Sequence, residues 1–141
     1  MRHLAAVVCA MFSAAPGLTL AQQAAASPVD CPKAAEVRRE DLLGLWRAEF
    51  EGLGHGATLL LEQHPELSES VRGAINRNGE RAQLAGDVDT GEFSLEESVN
   101  GVNISAVWLG DVVEGSCGRE IRGAWKAEGD PRQRQFVLRK Q

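Results

Sequence analysis

From Leu45 to the C-terminus, apolar and polar residues alternate in short runs separated by turn-forming pairs. This is the period-two signature of strands with one face buried and one face wet. The strongest turn signal is Val99-Asn100-Gly101-Val102, because Asn-Gly takes the two positive φ angles of a type I′ hairpin. Counting outward from it predicts Val99 opposite Val102, Glu97 opposite Ile104, Leu95 opposite Ala106 and Phe93 opposite Trp108 on one face. Ser94, Glu96, Ser98, Asn103 and Ser105 then share the other. A second pair, Asn78-Gly79, predicts Ile75 opposite Ala82, Gly73 opposite Leu84 and Val71 opposite Gly86, with Arg72, Arg81 and Gln83 toward water.

Extended along the chain, the alternation predicts eight strands, near 45–51, 57–63, 69–77, 80–88, 92–99, 102–109, 119–127 and 134–140. Short links between sequential strands favour an antiparallel up-and-down meander, and closing it into a barrel removes the exposed edges. The expected fold is therefore all-β, an eight-stranded antiparallel up-and-down β-barrel, with an open sandwich as the competing arrangement. Lys33 to Leu43 has helix-forming composition and should make a short N-terminal helix ended by Gly44. The inward positions become Trp46, Ala48, Phe50, Leu59, Leu61, Val71, Ile75, Leu84, Phe93, Leu95, Ile104, Trp108, Ile121, Trp125, Phe136 and Leu138. Gly73, Gly86 and Gly123 fall on the same face, where a missing side chain makes room either for large rings or for a ligand.

The first residues do not belong to this pattern. Met1-Arg2-His3 is a short basic start, Leu4 to Phe12 is apolar, and Thr19-Leu20-Ala21 offers small residues before Gln22. That is the make-up of a secretory leader over 1–21. The apolar run, broken by Ser13, Pro16 and Gly17, is too short to span a bilayer, which takes about 20 apolar residues. Residues 22–32, rich in Ala, Ser and Pro, read as a loose tail, and 33–141 as the barrel domain. Of the 141 residues, removal of 21 leaves 120, enough for one domain and too few for two ordinary ones. Cleavage takes Arg2 alone among the charged residues and deepens the formal charge from −5 to −6. An acidic balance of that kind argues against nucleic acid and anionic membrane as partners.

Cys9 leaves with the leader, so Cys31 and Cys117 remain as an even pair in an oxidising compartment, periplasmic or secreted. A disulfide between them closes a long loop and contributes about 3 to 4 kcal/mol on the chain-entropy model.

At the two ends of the barrel the residues resemble a known group. Asp41-Leu42-Leu43-Gly44-Leu45-Trp46 opens the first strand with Gly-x-Trp, and Phe136-Val137-Leu138-Arg139 closes the last with an arginine. The pairing is similar to the calycin superfamily of lipocalins, avidins and small exported protease inhibitors. It is most similar to the bacterial alkaline-protease inhibitors, although their cysteines lie within the barrel whereas Cys31 precedes it here. The resemblance implies that Trp46 plugs one barrel end with Arg139 across its ring.

Candidate chemistry is sparse. Glu97 is the single charge on the inward face of the 93–108 hairpin, and a buried carboxylate must be paired, protonated or wet. It either anchors a polar group of a ligand or lies near the barrel mouth and reaches water. Glu62, His64 and Glu66 alternate as metal ligands on a strand do, but Pro65 interrupts them. The Asp87-x-Asp89-Thr90-Gly91-Glu92 run is explained more simply by a hairpin turn than by a calcium loop. No tyrosine is present, His55 and His64 sit in loop-like settings and no catalytic triad is evident, so neither an enzyme, nor a metal, nor a cofactor is expected. A monomeric binding module remains. Its partner is a second protein, in inhibitor fashion and in one form a protease, or a small apolar ligand held among Trp46, Phe50, Phe93, Glu97, Trp108 and Trp125. The large inward residues favour the protein partner, met by the tail at 22–33 and by loops such as 51–56 and 110–115.

Overall fold

The structure is a computed structural model that describes residues 31–141. The leader over 1–21 and all of the tail before Cys31 lie outside the described residues. Eight strands form a closed barrel in sequence order: β1 (Gly44–Phe50), β2 (Ala57–Gln63), β3 (Val71–Arg77), β4 (Glu80–Asp89), β5 (Glu92–Ser98), β6 (Ala106–Val112), β7 (Glu120–Ala127) and β8 (Arg134–Lys140). Every neighbouring pair is antiparallel, and β1 closes onto β8 with Trp46 opposite Lys140, Ala48 opposite Leu138 and Phe50 opposite Phe136. The expected N-terminal helix is two shorter pieces, a 3₁₀ turn at Ala34–Glu36 and α1 (Arg39–Leu42).

The alternation works because each strand puts every second side chain inside. Trp46, Leu59, Leu95, Trp108, Ile121 and Leu138 are fully buried, and Phe50, Phe93, Trp125 and Phe136 nearly so. The turn at Asn78-Gly79 has both residues at positive φ, 51° and 90°, and the register is the expected one, with Ile75 opposite Ala82, Gly73 opposite Leu84 and Val71 opposite Gly86. Thr90-Gly91 makes a second such turn at 50° and 85°, and places Asp89 opposite Glu92.

Asn100-Gly101 does not make the expected two-residue hairpin. Glu97 lies opposite Ala106, Leu95 opposite Trp108 and Phe93 opposite Gly110, and β6 starts only at Ala106. The reason is local: Asn100 Oδ1 accepts the backbone N–H groups of Val102 (2.9 Å) and Asn103 (2.8 Å), an Asx turn that competes with the ladder. Residues 99–105 thus become a loop, and Val99, Val102 and Ile104 are exposed at 71%, 84% and 45%. Ile104 is not an inward residue. The slip is by two residues, so the remaining inward positions keep their face.

The inward glycines do not chiefly make room for rings. A Cβ on Gly73 would lie 2.0 Å from the Leu60 carbonyl oxygen, on Gly86 2.2 Å from that of Ser94, and on Gly123 2.0 Å from that of Leu109. They let neighbouring backbones approach where the sheet coils tightly.

One end of the barrel is capped. Leu42 and Val37 are buried beneath it, and Trp46 Nε1 donates to the Leu42 carbonyl at 2.7 Å. Cys31 and Cys117 form a disulfide that ties the residues before the 3₁₀ turn to the β6–β7 loop. Such a bond is compatible with an oxidising compartment. The cation over Trp46 is Lys140, with Nζ 5.9 Å from the ring centroid, rather than Arg139. Alternation explains the exchange: Leu138 and Lys140 point inward, while Arg139 points outward to Glu49 and Glu120, 3.3 Å from each. Burial, reinforced by Arg119, holds the Lys140 ammonium below the usual lysine range.

Candidate functional site

The opposite end, called the mouth here, carries the barrel's polar interior. Its inward positions on four strands are the small residues Ala57, Ala82, Ala106 and Ala127. Larger groups from the other positions gather in the space this leaves. Trp108 and Trp125 stand directly opposite each other on β6 and β7. Phe50 packs at a tilt against both, with centroids 5.2 and 5.3 Å away, and Phe136 meets Trp108 edge-on at 4.8 Å. The barrel at this height is occupied by touching rings.

Glu97 enters this cluster from β5 and is 3% exposed. Its Oε1 accepts the indole N–H of Trp108 at 2.8 Å, that of Trp125 at 2.9 Å and a hydrogen bond from Arg77 Nη2. The expectation that Glu97 simply reaches water is therefore corrected: the carboxylate is paired and fully engaged on one oxygen. Arg77 reaches it from β3 across β4, whose intervening residue Ala82 offers only a methyl group. The guanidinium carbon lies 4.7 Å from the Trp125 ring centroid and 5.3 Å from that of Phe50, so the same group is an ion-pair partner and a cation over two rings. Arg77 is 15% exposed and covers the cluster at the rim. Its Nε is buried and has no hydrogen-bond partner among the described residues.

Of the six residues singled out in the sequence, the structure brings Phe50, Glu97, Trp108 and Trp125 together at the mouth. Trp46 lies at the capped end, bonded to α1, and Phe93 lies toward that same end, near the start of β5 opposite Gly110. Arg77 is the residue that sequence reasoning missed. The signal was present, since Val71, Gly73 and Ile75 face inward and the next step of the same alternation is Arg77.

The metal-like run at 62–66 has another role. His64 Nδ1 accepts the backbone N–H groups of Leu67 (3.0 Å) and Glu66 (3.2 Å), which shapes the β2–β3 turn. Among the described residues no cluster of His, Cys, Asp or Glu is arranged to hold a metal ion. No helix among them is long and apolar enough to cross a membrane. Two depressions, of about 820 and 650 Å³, lie on the outer wall: one is lined by Leu45, His55, Leu60 and Arg81, the other by Asp89, Leu109, Asp111 and Gln135.

No protein-family model matches the chain, and no curated protein matches it. Among solved structures it is similar to a de novo designed fluorescence-activating β-barrel, with 18% identity over 78% of this chain and 99% of that one, at a TM-score of 0.46. The class established by the strand order and closure is a small up-and-down antiparallel β-barrel.

Proposed function

We propose that the chain is a non-enzymatic binding module of the periplasm or the cell exterior, and that it recognises a second protein at the mouth end of the barrel. One observation carries this reading. The interior is occupied by Phe50, Trp108, Trp125 and Phe136 in mutual contact, while Val99, Val102 and Ile104 present apolar surface from the loop beside them. Apolar side chains held outside on a loop tied by Asn100 lose little conformational freedom on binding. The ion pair and the aromatic faces at the mouth are the chemistry of recognition, which supports a binding role. The resemblance of the chain ends to exported protease inhibitors makes a protease one concrete form of the partner. A second reading, a carrier of a small apolar ligand, rests on the aromatic wall of the same mouth, over which Arg77 lies.

The test is native mass spectrometry of the mature protein isolated gently from its own envelope fraction, beside Val99→Ser/Val102→Ser/Ile104→Ser. A protein complex of defined stoichiometry that the triple variant fails to form supports the proposal. A stoichiometric apolar adduct of a few hundred daltons, or a complex indifferent to the three substitutions, overturns it.

A further inference from the structure

The arrangement at the mouth has the parts of a cation receptor, and the receptor is filled by the chain's own arginine. We propose that Glu97, Trp125 and Phe50 form a binding site for an external guanidinium or alkylammonium group, which enters by displacing Arg77. This goes beyond the protein-binding reading and does not depend on it.

Three observations support the proposal. First, the anionic floor does not need Arg77 to stay in place: Glu97 Oε1 is held by the indole N–H groups of Trp108 and Trp125 at 2.8 and 2.9 Å. Removing the guanidinium leaves a carboxylate already oriented and walled by aromatic faces, which is the chemistry that takes a planar or alkylated cation out of water. Second, the resident fits imperfectly. Among the described residues only Nη2 of Arg77 finds a hydrogen-bond partner, and Nε is buried without one, so the fold bears the desolvation of a donor that these residues do not satisfy. A free cation is not tethered to β3 and can turn its N–H groups toward Glu97 and the open rim. Third, departure is geometrically simple. Arg77 is the last residue of β3, before the exposed Asn78-Gly79 turn, it is already 15% exposed, and the residue it crosses is Ala82. A change of side-chain rotamer uncovers the site without moving a strand.

The probe is methylguanidinium, read through the indole N–H resonances. Trp108 and Trp125 report on the site, and Trp46, bonded to Leu42 at the other end, is an internal control. In the wild-type protein, millimolar methylguanidinium should shift the Trp108 and Trp125 signals saturably and leave Trp46 still, while neutral methylurea does nothing. Arg77→Ala, which lacks the resident competitor, should bind at least tenfold more tightly, and Arg77→Ala/Glu97→Gln should lose that gain. If Arg77→Ala does not fold, Arg77→Met, which fills more of the space without a charge, replaces it, with the same expected direction. A blocked arginine peptide, acetyl-Gly-Arg-Gly-amide, separates the sources: tighter binding than methylguanidinium assigns the cation to a polypeptide side chain, weaker binding to a free small molecule. Unmoved wild-type resonances at 100 mM probe, an equal response to methylurea, or no gain in either Arg77 variant would each overturn the proposal.

Discussion

Trp108 and Trp125, directly opposed on β6 and β7, donate their indole N–H groups to one and the same oxygen of Glu97. A single carboxylate thereby fixes two of the largest core side chains and neutralises Arg77. Glu97→Gln keeps an acceptor for the indoles but leaves the guanidinium without its counter-charge, which costs about 3 kcal/mol for a pair this deeply placed. Glu97→Leu also strands both indole donors, each worth about 1 to 3 kcal/mol when left unmet, and should be the more damaging change. Adding Arg77→Met to Glu97→Leu should recover part of the loss, because the unpaired charge is gone. Urea unfolding of the four proteins gives the order, and a double variant no better than Glu97→Leu refutes it.

Cys31 and Cys117 are separated by 86 residues, and their bond ties the capped end of the barrel. Replacing both with serine should cost about 4 kcal/mol by restoring that loop to the unfolded chain. The structural effect should be confined to one end: the Trp46 indole, which donates to Leu42 in α1, changes its environment, while the Trp108 and Trp125 indoles do not. Tryptophan resonances in the double serine variant measure this, and a disturbance at all three would mean that the cap supports the whole barrel.

The barrel was legible because its signals are local and repeated. Alternation at Trp46, Ala48 and Phe50, and the paired positive φ angles at Asn78-Gly79, each determine a face or a register within a few residues. The failure at Asn100-Gly101 has the same local origin, since Asn100 can serve a hairpin or bond its own backbone two and three residues on, and the sequence contains both possibilities. The site was half legible. Glu97 stood out as a charge on an apolar face, but its partner comes from two strands away, and only the closure and stagger of the barrel bring Arg77 to it. Lys140 replaced Arg139 over Trp46 because the closing arginine, taken from a resemblance, sits one pleat out of phase.

Gly73 faces inward, but the space a Cβ would enter belongs to the Leu60 carbonyl oxygen, 2.0 Å away. Gly73→Ala must push β2 and β3 apart at a ladder position, and the clash is with backbone rather than with a flexible side chain. Overpacking of this kind costs about 1 to 3 kcal/mol and often more. Gly79→Ala, where nothing lies within 4 Å but φ is +90°, should cost less, through backbone strain alone, about 1 kcal/mol. Thermal unfolding compares the two. A milder effect at Gly73 than at Gly79 would show that the sheet yields without cost at this pleat.

Glu120 lies on the outer wall where the barrel closes, bonded to Arg122 and, at 3.3 Å, to Arg139, which reaches on to Glu49 of β1. The hydrogen bond from Arg122, followed by the attraction of both guanidinium groups, holds the Glu120 carboxyl below its ordinary value of 4.5. The unfolded chain therefore takes up this proton first as the pH falls. The stabilisation is complete above the ordinary carboxylate range and disappears as the pH drops through the lower folded value, from about pH 5 downward. Because the network is in contact with solvent, its size is under about 1 kcal/mol and salt reduces it. The wild type should exceed Glu120→Gln in stability at pH 7, and the two should converge as the pH falls through and below the ordinary carboxylate range. Denaturant unfolding of both proteins across that interval decides it: a constant difference would mean that the side chain acts through packing rather than charge, and that closure between β1 and β8 rests on the ladder alone.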